Sequence, residues 1–458
     1  MKRTYSFFAI ALFIAITFCS NAQTRLENVN SVVGNVTKTI IRETATFHSI
    51  SYFETAIGHY FAYYDGSSGS VITVPININF SVNDFVISDD SVFFCGIFYT
   101  IGSIGHFNIQ DFFYGSHTYY NTSFNFYYNT AASPVYVRSF DKMVAFSDSG
   151  IRKVAAIGML TNNSYAVMEA RYAFSPNNTT VSYVVGTAGD AVLDIALTDN
   201  YVVTAGFNSI LGVGPLPFVR VYERGSLFQS GGPQDTVTFF SKYGSQTVRF
   251  NARQLVLSHL QGDDFALAAY WRNLNATTDT GTFISLQNIA ANHDVSWISS
   301  MVTTQYRQNG GWQLHGLTPM DNSSYFYLLQ TAEIVNLSTD ESLLFMLTPS
   351  MFSLAPYGGT MTVKQMNRPQ LTSIDARAGY WGFVSCGIDY ITPDNMVCCL
   401  STSNTPGCSN DRIMPIYPID MVGSEQYDAF QVNSGGTVFI GSTVGTPIML
   451  EKHIFCKE

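Results

Sequence analysis

Acidic residues recur at the start of a repeated segment, and they are the side chains in this sequence best able to do chemistry. The repeat-start residues are Asp84, Asp141, Asp194, His315 and Asp428, with Arg253 or Gln254 at the start of one further copy. Converging carboxylates raise one another's pKa values and attract cations. The pattern predicts a ligand-binding channel, with oxygen ligands for Ca²⁺ or an acid/base pair. The alternative, which we favour, is that each aspartate caps backbone amides of its own repeat.

Aromatic residues form a second set of binding candidates. They are Tyr120, Tyr128, Trp312, Tyr380 and Trp381. At strand spacing, Tyr120 and Tyr128 share one side, and asparagine side chains line the other. Rings beside amides suit a neutral polysaccharide, although packing against a neighbouring sheet is the alternative. The other three lie beside glycines in loop-like contexts, where a large ring is harder to explain as core.

Motifs of common enzyme classes are missing from the sequence. It contains no His-Glu-x-x-His, no Gly-x-Ser-x-Gly and no phosphate-binding glycine loop, and its 8 histidines show no ligand spacing. A glycoside hydrolase or lyase stays open, because its two carboxylates need only meet in space, about 5–9 Å apart. Whether the protein is an enzyme is therefore undecided from the sequence. No cofactor is expected apart from the Ca²⁺ alternative.

The candidate carboxylates belong to an internal repeat. Asp84–Gly96 aligns without gaps to Asp194–Gly206, as strand, polar turn and strand closed by glycine. Looser copies begin near Asp141, Gln254, His315, Gly387 and Asp428. The period of about 57 residues, built from strands and turns, is typical of β-propeller blades.

One of these turns resembles the inner hairpin of WD-like and YVTN-type propellers, namely Asp199-Asn200-Tyr201-Val202. The resemblance implies architecture and no particular function. We expect an all-β propeller of seven four-stranded antiparallel blades, with eight or six as the alternatives. The N- and C-terminal strands would close the ring in one blade. If Phe47–Pro75 forms a blade of its own, the ring has eight.

Residues 1–22 have the three parts of a secretory signal. Lys2 and Arg3 precede the apolar run Phe7–Phe18, and Ser20-Asn21-Ala22 places cleavage before Gln23. The leader resembles those of secreted Bacteroidetes proteins. We expect residues 23–458 to form one domain that is secreted, periplasmic or at the cell surface. Lipid attachment at Cys19 is the alternative.

Composition excludes several classes of protein. The chain is 46% hydrophobic and only 12% charged, which argues against disorder and against a coiled coil. Its net charge of -10, without a cluster of basic residues, argues against nucleic-acid binding. No stretch after the leader is long and apolar enough to span a membrane. We expect a monomeric binding or scaffold protein whose partner is an extracellular glycan or a surface protein.

Six cysteines follow the leader, and four of them are clustered. The four are Cys386, Cys398, Cys399 and Cys408. An even number in an exported chain, without zinc-ligand spacing, predicts at least one disulfide within this cluster. The adjacent pair in the cluster should face opposite sides of its strand, so the two cannot easily share one partner.

Overall fold

The computed structural model is all-β, with small antiparallel sheets. It describes the strands and the helix given below, together with residues 57, 77–79, 89–90, 99–100, 109–110, 135–136, 150, 161–164, 190, 198–200, 224 and 262–263. Side chains are described at 40, 50–55, 57–63, 72–114, 135–147, 150–171, 190–208, 217–224, 255–259, 262–269 and 289. A short helix, α1 (Asp111–Tyr114), follows the third strand of the second sheet.

The described strands form eight sheets, which follow one another along the chain. The first is β2 (Val36–Ala45), β3 (His48–Thr55), β4 (Gly58–Asp65) and β5 (Ser70–Ile76), and the second is β6 (Phe80–Ser88), β7 (Ser91–Phe98), β8 (Ile101–Asn108) and β9 (Tyr120–Ser123). The third is β10 (Val137–Asp148), β11 (Ile151–Leu160), β12 (Tyr165–Arg171) and β13 (Thr180–Val185), and the fourth is β14 (Ala191–Leu197), β15 (Tyr201–Ile210), β16 (Gly214–Glu223) and β17 (Asp235–Thr238). Within each sheet, sequence neighbours pair side by side.

The second half of the chain repeats this order. The fifth sheet is β18 (Val248–His259), β19 (Asp264–Asn273), β20 (Asp279–Ile289) and β21 (Val295–Val302), with β22 (Gln305–Tyr306) also on β20. The sixth is β23 (Gly311–Pro319), β24 (Phe326–Glu333), β25 (Glu341–Leu347) and β26 (Thr362–Asn367), and the seventh is β27 (Pro369–Arg377), β28 (Trp381–Asp389), β29 (Asp394–Ser401) and β30 (Arg412–Ile416). The eighth joins both ends of the chain: β31 (Tyr427–Val432), β32 (Thr437–Ser442) and β33 (Met449–Ile454), with β1 (Arg25–Asn28) on β33.

The sheets pack face to face, and their middle strands are buried on both sides. In β7, Val92 and Phe94 belong to the cluster shared with the first sheet, whereas Phe93 and Cys95 belong to the cluster shared with the third. Successive strand residues point to opposite faces, so a strand between two neighbours needs a continuous apolar run. Burial of each large side chain contributes about 1.5–3 kcal/mol.

The first strand of every described sheet is irregular where it pairs with the second strand. In six sheets a single residue is skipped in the region where the repeat begins: Asn83, Asp141, Leu193, His315, Thr372 and Asp428. In the first sheet the skipped residue is Thr37, and in the fifth the shift is longer, between Phe250 and Leu255. Bulges of this kind bend a strand and increase its twist.

The glycine that closes the repeat is required by this bulge. Val82 pairs with Gly96 and Val192 pairs with Gly206, immediately before each skipped residue. A Cβ atom at Gly96 would lie 2.0 Å from the carbonyl oxygen of Ser81, and one at Gly206 would lie 1.9 Å from that of Ala191. Only glycine admits so close a backbone approach.

Replacing Gly206 with alanine should destabilise the protein by about 3 kcal/mol, because the backbone of β14 must move to admit the methyl group. Gly262→Ala is the matched control. Gly262 has a φ of +57° but nothing within 4 Å of an added Cβ, so that change should cost about 1–2 kcal/mol. Urea denaturation of both variants measures the difference. Equal losses would contradict the steric role of Gly206.

Candidate functional site

Asp84 and Asp194 are buried, and each joins its own sheet to the next one. The Oδ1 atom of Asp84 accepts the backbone N–H of Phe85 at 2.9 Å, and its Oδ2 atom accepts that of Met143, in the third sheet, at 3.1 Å. The carboxylate therefore caps its own strand, as the sequence predicts, and also caps the first strand of the neighbouring sheet.

Asp194 repeats this geometry two sheets further along the chain. Its Oδ1 atom accepts the N–H of Ile195 at 3.1 Å, and its Oδ2 atom accepts that of Leu257, in the fifth sheet, at 2.7 Å. Lys142 Nζ, from the third sheet, lies 2.7 Å from the same Oδ1 atom. Asp194 thus connects three successive sheets.

The remaining repeat-start residues occupy a different register. Asp84 and Asp194 come directly after the skipped residue, whereas Asp141, His315 and Asp428 are themselves skipped. Asp141 is exposed and accepts a hydrogen bond from Ser139 Oγ at 2.9 Å. Arg253 and Gln254 fall inside the longer shift of β18, while His315 and Asp428 lie outside the described side chains.

The offset in register changes the chemistry available at these positions. Lys142 stands at the place in β10 that corresponds to Asp84, so the third sheet presents a cation there instead of a carboxylate. Where side chains are described, no group of three or more His, Cys, Asp or Glu could hold a metal ion. The repeat-start acids that are described thus act as backbone caps and as one ion-pair partner.

The polar turns between first and second strands also connect neighbouring sheets. Arg152, in the third sheet, bonds Asp90 Oδ1 and Ser91 Oγ of the second. Asp263, in the turn of the fifth sheet, accepts hydrogen bonds from Thr198 Oγ1 at 2.8 Å and from the backbone of Asn200 at 2.9 Å. The turn acids thus do more than shape their own hairpins.

Charged groups are buried between the third and fourth sheets. Lys153 Nζ lies 3.1 Å from Glu169 Oε1, and Arg220 Nη2 lies 2.9 Å from Asp190 Oδ2. The Arg220 guanidinium also lies 5.4 Å from the ring centroid of Tyr165, which is in the neighbouring sheet. These charges are paired, and their burial is the main cause of a lowered pKa at Arg220.

The aromatic candidates do not gather at one place. Trp312 and Trp381 lie within strands rather than loops. Trp312 is near the beginning of a first strand and Trp381 begins a second strand, so antiparallel pairing puts them at opposite ends of their sheets. Tyr120 begins β9. Tyr128 and Tyr380 lie outside the described residues.

The clustered cysteines lie on paired strands without facing one another directly. Cys386 pairs with Val397, Cys398 with Ser385 and Cys399 with Val384. A bridge between β28 and β29 would have to run diagonally, from Cys386 to Cys399, which share one side of the ladder. Cys408 lies outside the described residues, so the disulfide remains a prediction.

Sequence reasoning missed an exposed aromatic residue, Tyr99. It forms a two-residue hairpin turn with Thr100 between β7 and β8, is 66% exposed and has a φ of 57°. Asparagine, aspartate or glycine is the usual residue at such a position. The sequence signal was therefore present, as a tyrosine at the place of a turn former.

Comparison with known proteins gives structural resemblances only. No protein-family profile and no curated protein matches the sequence. The acylaminoacyl peptidase of Pyrococcus horikoshii is 9% identical, with a TM-score of 0.41 over 80% of this chain and 50% of that chain, so the chain spans half the length of the peptidase. The β-propeller domain of the Trilobed protease from Pyrococcus furiosus is 6% identical, with a TM-score of 0.41 over 92% and 93%. Drosophila Semaphorin 1a, extracellular domains 1-2, is 11% identical, with a TM-score of 0.41 over 81% and 85%.

A further finding concerns membranes. Among the helices that the structure describes, none has the length and apolar character needed to cross a bilayer.

Asp194→Asn should lower the free energy of unfolding by about 1–3 kcal/mol, because an amide has one acceptor oxygen and its NH₂ group would face a donor. Asp141→Asn, at the exposed skipped position, should change stability by less than about 0.5 kcal/mol. Chemical denaturation of the two variants under identical conditions measures both. Equal effects would argue against the capping role of Asp194.

The stability of the protein should fall between about pH 6.5 and pH 4. Burial and the Arg152 charge lower the pKa of His106 to about 4. The unfolded chain binds this proton near pH 6.5, so acidification favours unfolding until the folded state also binds it, by roughly 2 kcal/mol in all. Asp90, whose pKa is held below its ordinary value by Asn108 and Arg152 despite the opposing effect of burial, adds to the loss at lower pH.

His106→Phe keeps a ring against Phe93, whose centroid lies 5.8 Å away, and removes the titration. The variant should lose stability less steeply between pH 6.5 and pH 4 when unfolding is followed over a pH series. The same slope in both proteins would refute the assignment.

Proposed function

We propose that this chain is an exported, single-domain β-propeller of eight blades, closed by its N- and C-terminal strands, that acts as a binding or scaffold protein. The eight successive four-stranded sheets support the number of blades. Contacts of each sheet with the next, and of β2 with β31 and β32, support a closed ring. Pairing of β1 with β33 supports closure by the two chain ends.

A binding role is favoured over catalysis by the use of the buried carboxylates. Asp84 and Asp194 give both their oxygens to backbone N–H groups of two sheets. A general acid or base has to exchange its proton with a substrate, and a carboxylate held by backbone donors on both oxygens is poorly placed to do so. This double capping is the observation on which the proposal rests.

The proposed ligand is an extracellular carbohydrate or another surface protein. The secretory leader supports an extracellular or periplasmic setting. The low charged fraction of 12%, together with 27 Tyr residues, supports a neutral and hydroxyl-rich ligand over a highly charged one. A glycoside hydrolase or lyase is the competing function.

An assay of the mature protein with a panel of polysaccharides separates the two classes. The panel includes soluble starch, laminarin, barley β-glucan and alginate. We expect measurable retention on at least one polymer in native affinity gels, without new reducing ends or unsaturated products. Asp84→Asn and Asp194→Asn should lower stability and leave retention within about twofold of the wild type at a temperature where both are folded. Product formation that either variant abolishes would overturn the binding assignment.

A further inference from the structure

The two ends of the described sheets differ in charge. The turn end carries the turns between first and second strands, with Asp89, Asp90, Asp199 and Asp263. Hydrogen bonds between these turns and the neighbouring sheets show that the second to fifth sheets align at this end. We call the opposite end, where first strands begin and second strands end, the linker end.

The linker end of the first three sheets presents few charges. Its exposed residues are Ile57, Pro75, Ile78, Asn79, Tyr99, Thr100, Met159, Thr161, Asn162 and Asn163, with Arg138 as the charged one in this part of the chain. Apolar side chains alternate there with amides and hydroxyls. Ile57 is 73% exposed and Ile78 is 52% exposed, each separated from other apolar residues by polar neighbours.

Tyr99 is held at this end in a backbone conformation that a bulky residue rarely adopts. Its φ is 57°, although glycine or asparagine would fit this turn without strain. The backbone N–H of Tyr99 donates to the carbonyl of Asn79 at 2.9 Å, which fixes the turn beside the linker between the first and second sheets. Its ring meets that of Phe98 edge-on, with centroids 4.7 Å apart. Strain of this kind persists where a side chain has a use that compensates for it.

From this juxtaposition we propose that the linker end around Tyr99 binds a neutral polysaccharide, with the tyrosine ring as a stacking platform for a sugar. The inference rests on the proposed binding function and gives it a site. Sugar rings have apolar C–H faces and hydroxyl edges, which match an aromatic ring beside the amide of Asn79 and the hydroxyl of Thr100. The scarcity of charge favours a neutral polymer over an acidic one, because a polyanion would need basic partners.

The turn end supplies the internal contrast for this assignment. It also exposes aromatic residues, since Phe113 is 54% exposed and Tyr114 is 76% exposed. Those rings stand on α1 beside Asp111 and near the acidic turns. Exposed rings alone therefore do not distinguish the two ends, whereas their polar surroundings do.

Tyr99→Gly tests the proposal in a way that misfolding cannot imitate. Glycine accepts the positive φ, so the variant should unfold at the same temperature as the wild type or higher. Retention on the neutral polymers that the wild type binds should weaken at least tenfold in native affinity gels. Tyr99→Phe keeps the ring and should bind within about threefold. Tyr114→Ala, a matched loss of an exposed tyrosine at the turn end, should bind as the wild type does.

The possible failures of this experiment have different meanings. If wild type and Tyr99→Gly are retained equally on neutral polymers, the site is wrong and the binding function stands. If the wild type is retained only on alginate, the neutral-ligand assignment is overturned. If it is retained on none of the four polymers, the carbohydrate ligand falls with the site, and the surface-protein alternative takes its place.

Discussion

Face-to-face burial of small sheets is the constraint on which the rest of this structure depends. A four-stranded sheet covered on one side only would leave half of its apolar side chains in water, and β7 shows the result of covering both: Phe93 and Phe94 are consecutive and both are buried. Packing each sheet on the next brings first strands side by side. Those strands need a bend, and their backbone donors need acceptors from the adjacent sheet.

The repeated sequence signature answers both needs. The bulge bends the first strand, and the glycine opposite it admits the approaching carbonyl oxygen, as Gly206 does for Ala191. The aspartate after the bulge accepts one N–H from its own strand and one from the next sheet, as Asp194 does with Ile195 and Leu257. A pattern that looks like a set of catalytic acids is explained by the joints between sheets.

Much of the fold could be predicted from the sequence, because alternating burial and tight turns are local properties. The all-β class and the hairpins at Asp84–Gly96 and Asp194–Gly206 are confirmed, and the two hairpins lie in different sheets. The first sheet escaped the repeat because it has Lys38 after its skipped residue and Thr55 in place of the glycine. The register of Asp141 could not be predicted, since a bulge moves a residue by one position without any change in composition. Nor could the surroundings of Tyr99, which combine residues from separate sheets.

The central claim is that Asp84 and Asp194 are joints between sheets, and amide hydrogen exchange tests it most directly. Asp84→Ala should speed exchange in the peptide that contains Met143 and leave the one that contains Leu257 unchanged, and Asp194→Ala should do the reverse. The reciprocal pattern separates loss of one cap from general destabilisation. Wild-type protection at both amides in both variants would contradict the account.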